Sequence, residues 1–305
     1  MSKILTFFGS GPVAAASLEH LLVDFDIELV VTKTRPAHHK DPAPVEELAK
    51  AHNLNLAFAD TKAELETLIQ VQQPKSLCGV VIDYGVIISQ ATIDCFPLGI
   101  VNSHFSILPE WRGADPITFS ILSGQQQTGV SLMTIDEGLD TGAIIAETPV
   151  LISPDDTGTS LTAKLIVASN AQISAVLPLY IDGAAIALPQ DTYGRVTTYS
   201  RKLTKQDGII DTNKPASVLE REIRAFSDWP KSKLMLGADI IVIITSAKVV
   251  ATQIPVGEVR ITETKELLVG TRVGALNITE LMPLGKQKMS AAAFLNGYGA
   301  RISSK

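Results

Sequence analysis

Ile4-Leu5-Thr6-Phe7-Phe8, then Gly9-Ser10-Gly11-Pro12-Val13-Ala14, opens the pattern of this chain. An apolar, aromatic-rich run reads as a buried strand. Two glycines and a proline then make a tight turn into a helix over Val13–Val23, with proline suited to the first helical turn. The same alternation repeats outward from this unit. Ile27–Thr32, Leu54–Phe58, Leu77–Ile82 and Gly99–Asn102 read as strands. Pro44–His52 and Lys62–Gln72 read as helices. Strands alternating with helices predict a parallel sheet covered on both faces. The unbroken apolar run Cys78-Gly79-Val80-Val81-Ile82 fits a strand buried on both sides.

Two further strands are expected at Gly129–Ile135 and Ala143–Val150, and a long helix over Ser160–Ile181. Asp182-Gly183 closes that helix. From Ala184 the periodicity fades, so a linker is expected there. A helix over Pro215–Phe226 follows. Then short strand-like runs recur: Ile240–Thr245, Lys248–Ile254, Glu258–Ile261, Glu266–Gly270 and Ala275–Met282. Their close spacing predicts a small all-β barrel.

Composition narrows the class. Apolar residues make up 46% and charged residues 19% of 305 residues, values of a globular chain with a sizeable core. No uninterrupted apolar run reaches the roughly 18 residues of a membrane span. The first residues are too short for a signal-peptide core and end in a glycine turn, so no leader is expected. Cys78 and Cys95 lack metal-type spacing and are expected as free thiols in a reducing cytoplasm. The net charge of −6 is uneven. Residues 1–200 carry 10 Lys+Arg against 22 Asp+Glu, net −12, and residues 201–305 carry 16 against 10, net +6. A basic final third points to an anionic partner such as a nucleic acid, or to a chance clustering of solvated cations.

Chemistry concentrates between residues 102 and 142. Asn102 and His104 follow the apolar run Leu98-Gly99-Ile100-Val101, and Asp140 lies in Gly138-Leu139-Asp140-Thr141-Gly142. Asp140 beside the imidazole would fix its tautomer and raise its basicity, and the Asn102 amide could donate to an oxyanion. No Ser or Cys stands in a nucleophile-elbow context, which favours direct transfer between two bound substrates over a covalent intermediate. The alternative is that Asn102 and Asp140 only shape turns and His104 only packs. The Gly9–Ala14 loop formally fits a dinucleotide turn, but Pro12 removes a backbone donor, and no acidic residue closes the second strand. His38-His39, with Arg35 and Lys40 in a proline-rich loop, fits a solvated loop or a substrate-contacting one better than a metal site.

Together these stretches resemble a known family. Asn102-x-His104-x-Ser106-Ile107-Leu108-Pro109-x-x-Arg112-Gly113, Thr128-Gly129-Val130 and Asp136-x-Gly138-x-Asp140-x-Gly142 resemble the folate-dependent formyltransferases. Phe7-Phe8-Gly9-Ser10 and Tyr84-Gly85 are similar to the branch acting on methionyl-tRNA. So are Thr198-Tyr199-Ser200-Arg201-Lys202-Leu203, Asp207-Gly208-Ile209-Ile210-Asp211, Ile223-Arg224-Ala225-Phe226, Trp229-Pro230, Gly285-Lys286-x-Lys288-Met289-Ser290-Ala291 and Phe294-Leu295-Asn296-Gly297. The resemblance implies a Rossmann-like catalytic domain over 1–183, a linker over 184–204, and an OB-like tRNA-binding domain over 205–305. It implies Asn102, His104 and Asp140 as the catalytic trio. Ser106, Ile107, Leu108 and Pro109, with Tyr84 and Gly85, would line a site for 10-formyltetrahydrofolate, a co-substrate, with no metal. Arg35, His38, His39 and Lys40 would face the initiator methionyl-tRNA. A cytoplasmic monomer is expected, with no membrane partner.

Some positions depart from the family pattern. The loop around Arg35–Asp41 is a few residues shorter, Asp83 replaces an apolar residue before Tyr84-Gly85, and Thr212 replaces an aromatic. Two rival readings stay open: a formyltransferase for a nucleotide-sugar amine, and a non-catalytic RNA- or folate-binding homologue.

Overall fold

A computed structural model describes residues 3–35, 43–237 and 239–302. The chain divides into two compact units. The first holds Met1–Pro116, Gln127–Leu151 and Thr162–Ser200; the second holds Ile117–Gln126, Ile152–Leu161 and Arg201–Lys305.

In chain order the first elements are β1 (Lys3–Gly9), α1 (Pro12–Asp24), β2 (Phe25–Thr32), α2 (Pro44–Ala51), β3 (Leu56–Phe58), α3 (Lys62–Gln72), β4 (Cys78–Ile82), α4 (Gln90–Ile93) and β5 (Ile100–His104). Then come β6 (Arg112–Gly113), α5 (Pro116–Ser123), β7 (Gln127–Thr134), β8 (Ile144–Leu151), α6 (Gly158–Ile181) and β9 (Tyr199–Ser200). Local chemistry sets the helix ends. Pro12 starts α1 behind Gly11. The Thr61 hydroxyl accepts the Glu64 N–H at 3.2 Å and caps α3, which stops at left-handed Gln73.

Seven strands form one sheet in the order β3-β2-β1-β4-β5-β7-β8. The first five run parallel, as the alternation predicts, and β7 and β8 add an antiparallel hairpin. Strand order reverses between β1 and β4, and open α/β sheets bind ligands beyond the carboxyl ends at such a point. The sheet is buried on both faces. Leu5, Phe7, Val30, Val80, Ile82 and Val101 fill one cluster with α1 and α6; Phe8, Leu29, Val31 and Ile100 fill another with Leu65 and Ile69 of α3. By length and composition α6 could cross a membrane. Its Leu165, Ile173 and Leu177 are buried, and its Ser169 hydroxyl bonds Ser103 of β5 at 2.7 Å, so it reads as a core helix.

The second unit adds α7 (Ala216–Ala225), β10 (Ser232–Leu236), β11 (Ile240–Val250), β12 (Val259–Ile261), β13 (Leu267–Gly270), β14 (Ala275–Pro283), β15 (Met289–Ser290) and α8 (Ala291–Ile302). The strands pair antiparallel in the order β10-β11-β14-β13-β12, with β15 on β14, as a curled half-barrel. Leu219 and Ile223 of α7 and Phe294 of α8 pack into its core with Val242, Leu276 and Leu281.

One expected pair of strands is a single strand, and two helices form where the sequence pattern assigns no element. Ile240–Thr245 and Lys248–Ile254 are not two strands: β11 runs through the polar break and absorbs it as a bulge at Ser246, whose hydroxyl accepts from Thr279 at 2.8 Å. Residues 291–302, to which the sequence pattern assigns no element, form a helix. Three alanines and the Ser290 cap on the Ala293 N–H (3.2 Å) favour it, while Gly297 and Gly299 blur its periodicity. α5 is a third unexpected element, short and rich in β-branched residues that carry little helical signal.

Phe294 is wholly buried and stacks on Tyr298 with ring centres 4.8 Å apart. Phe294→Ala should therefore cost the second unit about 3–5 kcal/mol in chemical denaturation.

Candidate active site

β5 sets out the first two groups. Side chains alternate along a strand, so Asn102 and His104 share one face and Ser103 turns to the other, where it meets Ser169. Asn102 lies between Val81 of β4 and Met133 of β7; His104 pairs with Ser131 of β7. His104 is 6% exposed, whereas Asn102 is half-buried.

The turn after β5 decides the state of the imidazole. Trp111 sits in the left-handed region, φ 54°, and its carbonyl lies 3.1 Å from His104 Nε2. A carbonyl only accepts, so Nε2 carries the proton. Nδ1 faces Asp140 Oδ2 at 3.8 Å, beyond hydrogen-bond range. That same Oδ2 accepts the Gly113 N–H at 2.7 Å. Trp111 therefore fixes the tautomer, not Asp140 as the spacing suggests. Asp140 acts on the ring as a nearby charge. Burial pushes the His104 imidazole below its ordinary value; Asp140 and the Trp111 carbonyl pull it upward less strongly. The ring is thus neutral at pH 7. Asp140 is itself held at φ 51°, a conformation a non-glycine residue keeps only when its surroundings impose it.

The other expected contacts sort into two groups. Ser106, Leu108 and Pro109 are buried in the turn beyond His104. The Ser106 hydroxyl is spent on the Glu110 carbonyl (2.5 Å), and the Leu108 N–H donates to Ser131 Oγ (3.0 Å). Tyr84 is buried against Phe8, and its hydroxyl donates to the Ala59 carbonyl at 2.8 Å. These four are turned inward. Ile107 is half-buried and Gly85 exposed. Arg35 is exposed just past β2; His38, His39 and Lys40 lie outside the described residues.

The glycine turn after β1 is bonded to the end of β4: Ser10 N–H donates to the Asp83 carbonyl (3.1 Å) and its hydroxyl to that of Tyr84 (3.2 Å). The Asp83 carboxylate lies against Gly11, where a Cβ would stand 2.0 Å from Oδ2. An acidic group so close to the turn opposes a pyrophosphate there. Although Asp83 keeps an open surface, its carboxyl is packed. Burial, then the Asp115 charge, push it up to about 6.

Several residues that hold this site carry no motif. Gln190 bonds the Arg112 side chain and the carbonyls of Asp140 and Gly142. Thr198 bonds Trp111 and Arg112. Both lie in the stretch of faded periodicity, where Pro189 and buried polar side chains are the only hints.

Comparison with known proteins agrees along both units. Residues 3–177 match the family "Formyl transferase" and residues 202–299 match "Formyl transferase, C-terminal domain". A curated methionyl-tRNA formyltransferase of Symbiobacterium thermophilum is 35% identical, over 100% of this chain and 95% of its own length. That of Thiobacillus denitrificans is 36% identical over 95% of both. Among solved structures, the N-formyltransferase of Helicobacter canadensis, in complex with folinic acid and dTDP-3-aminofucose, superposes with a TM-score of 0.68. It is 18% identical and is covered over 100% of its chain and 95% of this one, a likeness of fold.

Two titrations check the electrostatics. The His104 ring should titrate below 6.5 by NMR, and Asp140→Asn should lower the midpoint further by removing a charge that favours the imidazolium. Asp83 is raised, so its contribution to stability is full below the ordinary value of 3.8 and is lost as pH climbs through about 6. Asp83→Asn should therefore raise the melting temperature at pH 7.5, and by clearly less at pH 4.5, where only part of the contribution has been lost.

Proposed function

The chain belongs to the formyl transferase family, and from that premise we propose that it transfers the formyl group of 10-formyltetrahydrofolate to the α-amine of methionyl initiator tRNA, in the cytoplasm, at the start of translation. The observation that carries this reading is 34–36% identity to curated methionyl-tRNA formyltransferases over at least 95% of the chain, including its basic final third.

Asn102, His104 and Asp140 take the central roles. The Asn102 amide donates to the formyl oxygen as it gains charge. His104 stands beside it on the same strand face; its Nε2 proton is engaged by the Trp111 carbonyl, so it helps hold that charge through the positive character the ring gains as the reaction proceeds. Asp140, 3.8 Å from Nδ1, stabilises any positive charge the buried ring acquires. The amine forms its bond to the formyl carbon, the bond from that carbon to the folate nitrogen breaks, and the amine proton ends on the departing nitrogen. No covalent enzyme intermediate is needed. Ser106, Ile107, Leu108 and Pro109, with Tyr84 and Gly85, line the folate site in this reading, and their apolar side chains and backbone polar groups suit a flat heterocycle. Residues 205–305 serve as the tRNA-binding domain, and Arg35, His38, His39 and Lys40 as a loop facing the tRNA.

The test is a formylation assay with 10-formyltetrahydrofolate and charged initiator tRNA, run beside a nucleotide-linked amino sugar. Formylmethionyl-tRNA is the expected product; none after long incubation, or formylation of the sugar alone, overturns the reading. Asn102→Ala, His104→Ala and Asp140→Ala should each lower kcat by roughly 10²- to 10⁴-fold with the fold retained.

A further inference from the structure

The stretch 188–200, expected as part of a linker, grips both loops of the site. Leu188 and Ile144 exchange backbone hydrogen bonds at 2.8 Å. Thr198 N–H donates to the Pro109 carbonyl (3.2 Å), its carbonyl accepts the Arg112 N–H (3.0 Å), and its hydroxyl accepts the Trp111 N–H (2.9 Å). Arg195 donates to the Leu108 carbonyl (2.9 Å). Gly113 pairs with Ser200 so closely that a Cβ would fall 2.2 Å from the Ser200 carbonyl oxygen, at φ 116°.

One side chain in this strap touches both loops. Gln190, 5% exposed, opens a short 3-10 turn after Pro189. Its Oε1 accepts from Arg112 Nε (3.1 Å) and Nη2 (2.6 Å). Its Nε2 donates to the carbonyls of Asp140 (2.8 Å) and Gly142 (2.9 Å). All four hydrogen-bonding positions of the amide are used. The reverse orientation would set donors against a guanidinium and an acceptor against two carbonyls, so the orientation is unique.

We propose that Gln190 is a positioning residue for formyl transfer: it clamps the Asp140–Gly142 turn to Arg112, and so sets the distance of the Asp140 carboxylate from His104. The inference rests on the role proposed above for Asp140. The geometry gives the clamp leverage. Asp140 is in a left-handed conformation, φ 51°, and the Gln190 amide holds its carbonyl there. Arg112, at the other end of the clamp, stands between Trp111, which holds His104 Nε2, and Gly113, which holds Asp140 Oδ2. The remaining strap bonds do not pass through Gln190, so the strap stays in place when the amide is removed.

Gln190→Leu keeps the bulk and removes the clamp. The expected result is a kcat lower on the order of 10- to 100-fold, with KM for both substrates little changed. In an Asp140→Asn background the same change should cost less than about threefold, because residues acting through one group are not additive. The His104 NMR midpoint should fall toward that of Asp140→Asn. Should the leucine variant not fold, Gln190→Glu replaces it: it retains an acceptor for Arg112, loses both donations to the turn, and should show the same losses. Wild-type kcat in the Gln190 variant with Asp140→Asn impaired overturns this inference alone. An equal loss in both backgrounds, with the His104 midpoint unmoved, also overturns it. Near wild-type turnover by Asp140→Asn would instead overturn the role of Asp140, and this inference with it.

Discussion

The Asp140 carboxylate accepting the Gly113 amide at 2.7 Å is the contact through which the site is joined. It ties a loop that ends the β7–β8 hairpin to a loop that follows β5, two segments more than 25 residues apart in sequence. The same three-residue turn presents the Trp111 carbonyl to His104. Ring and carboxylate are thus referred to one piece of backbone, and their 3.8 Å spacing follows from it. At that spacing the carboxylate acts by its charge, and it competes with burial, which is the stronger influence on the ring. A buried imidazole kept neutral, with a counter-charge within reach, is suited to gaining positive character only as a reaction demands it.

The sheet sets one end of the site. Parallel strands β4 and β5 deliver Asp83 and His104 to the same edge, since Val81 and Asn102 are in register and each residue lies two further on. Strand β7 runs antiparallel to β5, with Ser131 opposite His104 and Thr134 opposite Val101, so the β7–β8 connection leaves beside the start of β5. Asp140 comes to the ring from that connection, held there by the Gly113 amide and by the Gln190 amide on its carbonyl.

Much of this was legible in the residues. Continuous apolar strands and Pro12 at a helix start act locally, over a few residues, and their reading holds. What was not legible depends on long-range pairing. The proton on Nε2 follows from a carbonyl, which every residue has and no motif marks. Gln190 works through an orientation imposed by residues 112, 140 and 142, and its own neighbours in sequence offer no period. Ser246 reads as a break because a bulge, seen from one strand, looks like an end. Helix α8 is masked by two glycines that cost helix propensity, and tertiary packing of Phe294 outweighs that cost.

The charge distribution bears on how an anionic substrate would be met. The second unit holds ion pairs such as Arg201–Asp207, Lys214–Glu222, Arg224–Glu220 and Lys288–Glu280. Pairing fixes side chains but leaves the count over 201–305 at +6. Residues 1–200 carry −12, and Asp83 and Asp115 stand among them near the site, Asp83 raised by burial first and by the Asp115 charge second. At long range the two sum to −6, and salt limits each field to a Debye length of about 10 Å at 0.1 M. Attraction to phosphates must then be a local property of the final third. Acidic groups at the switch point instead disfavour stray phosphates and favour a cationic or neutral amine.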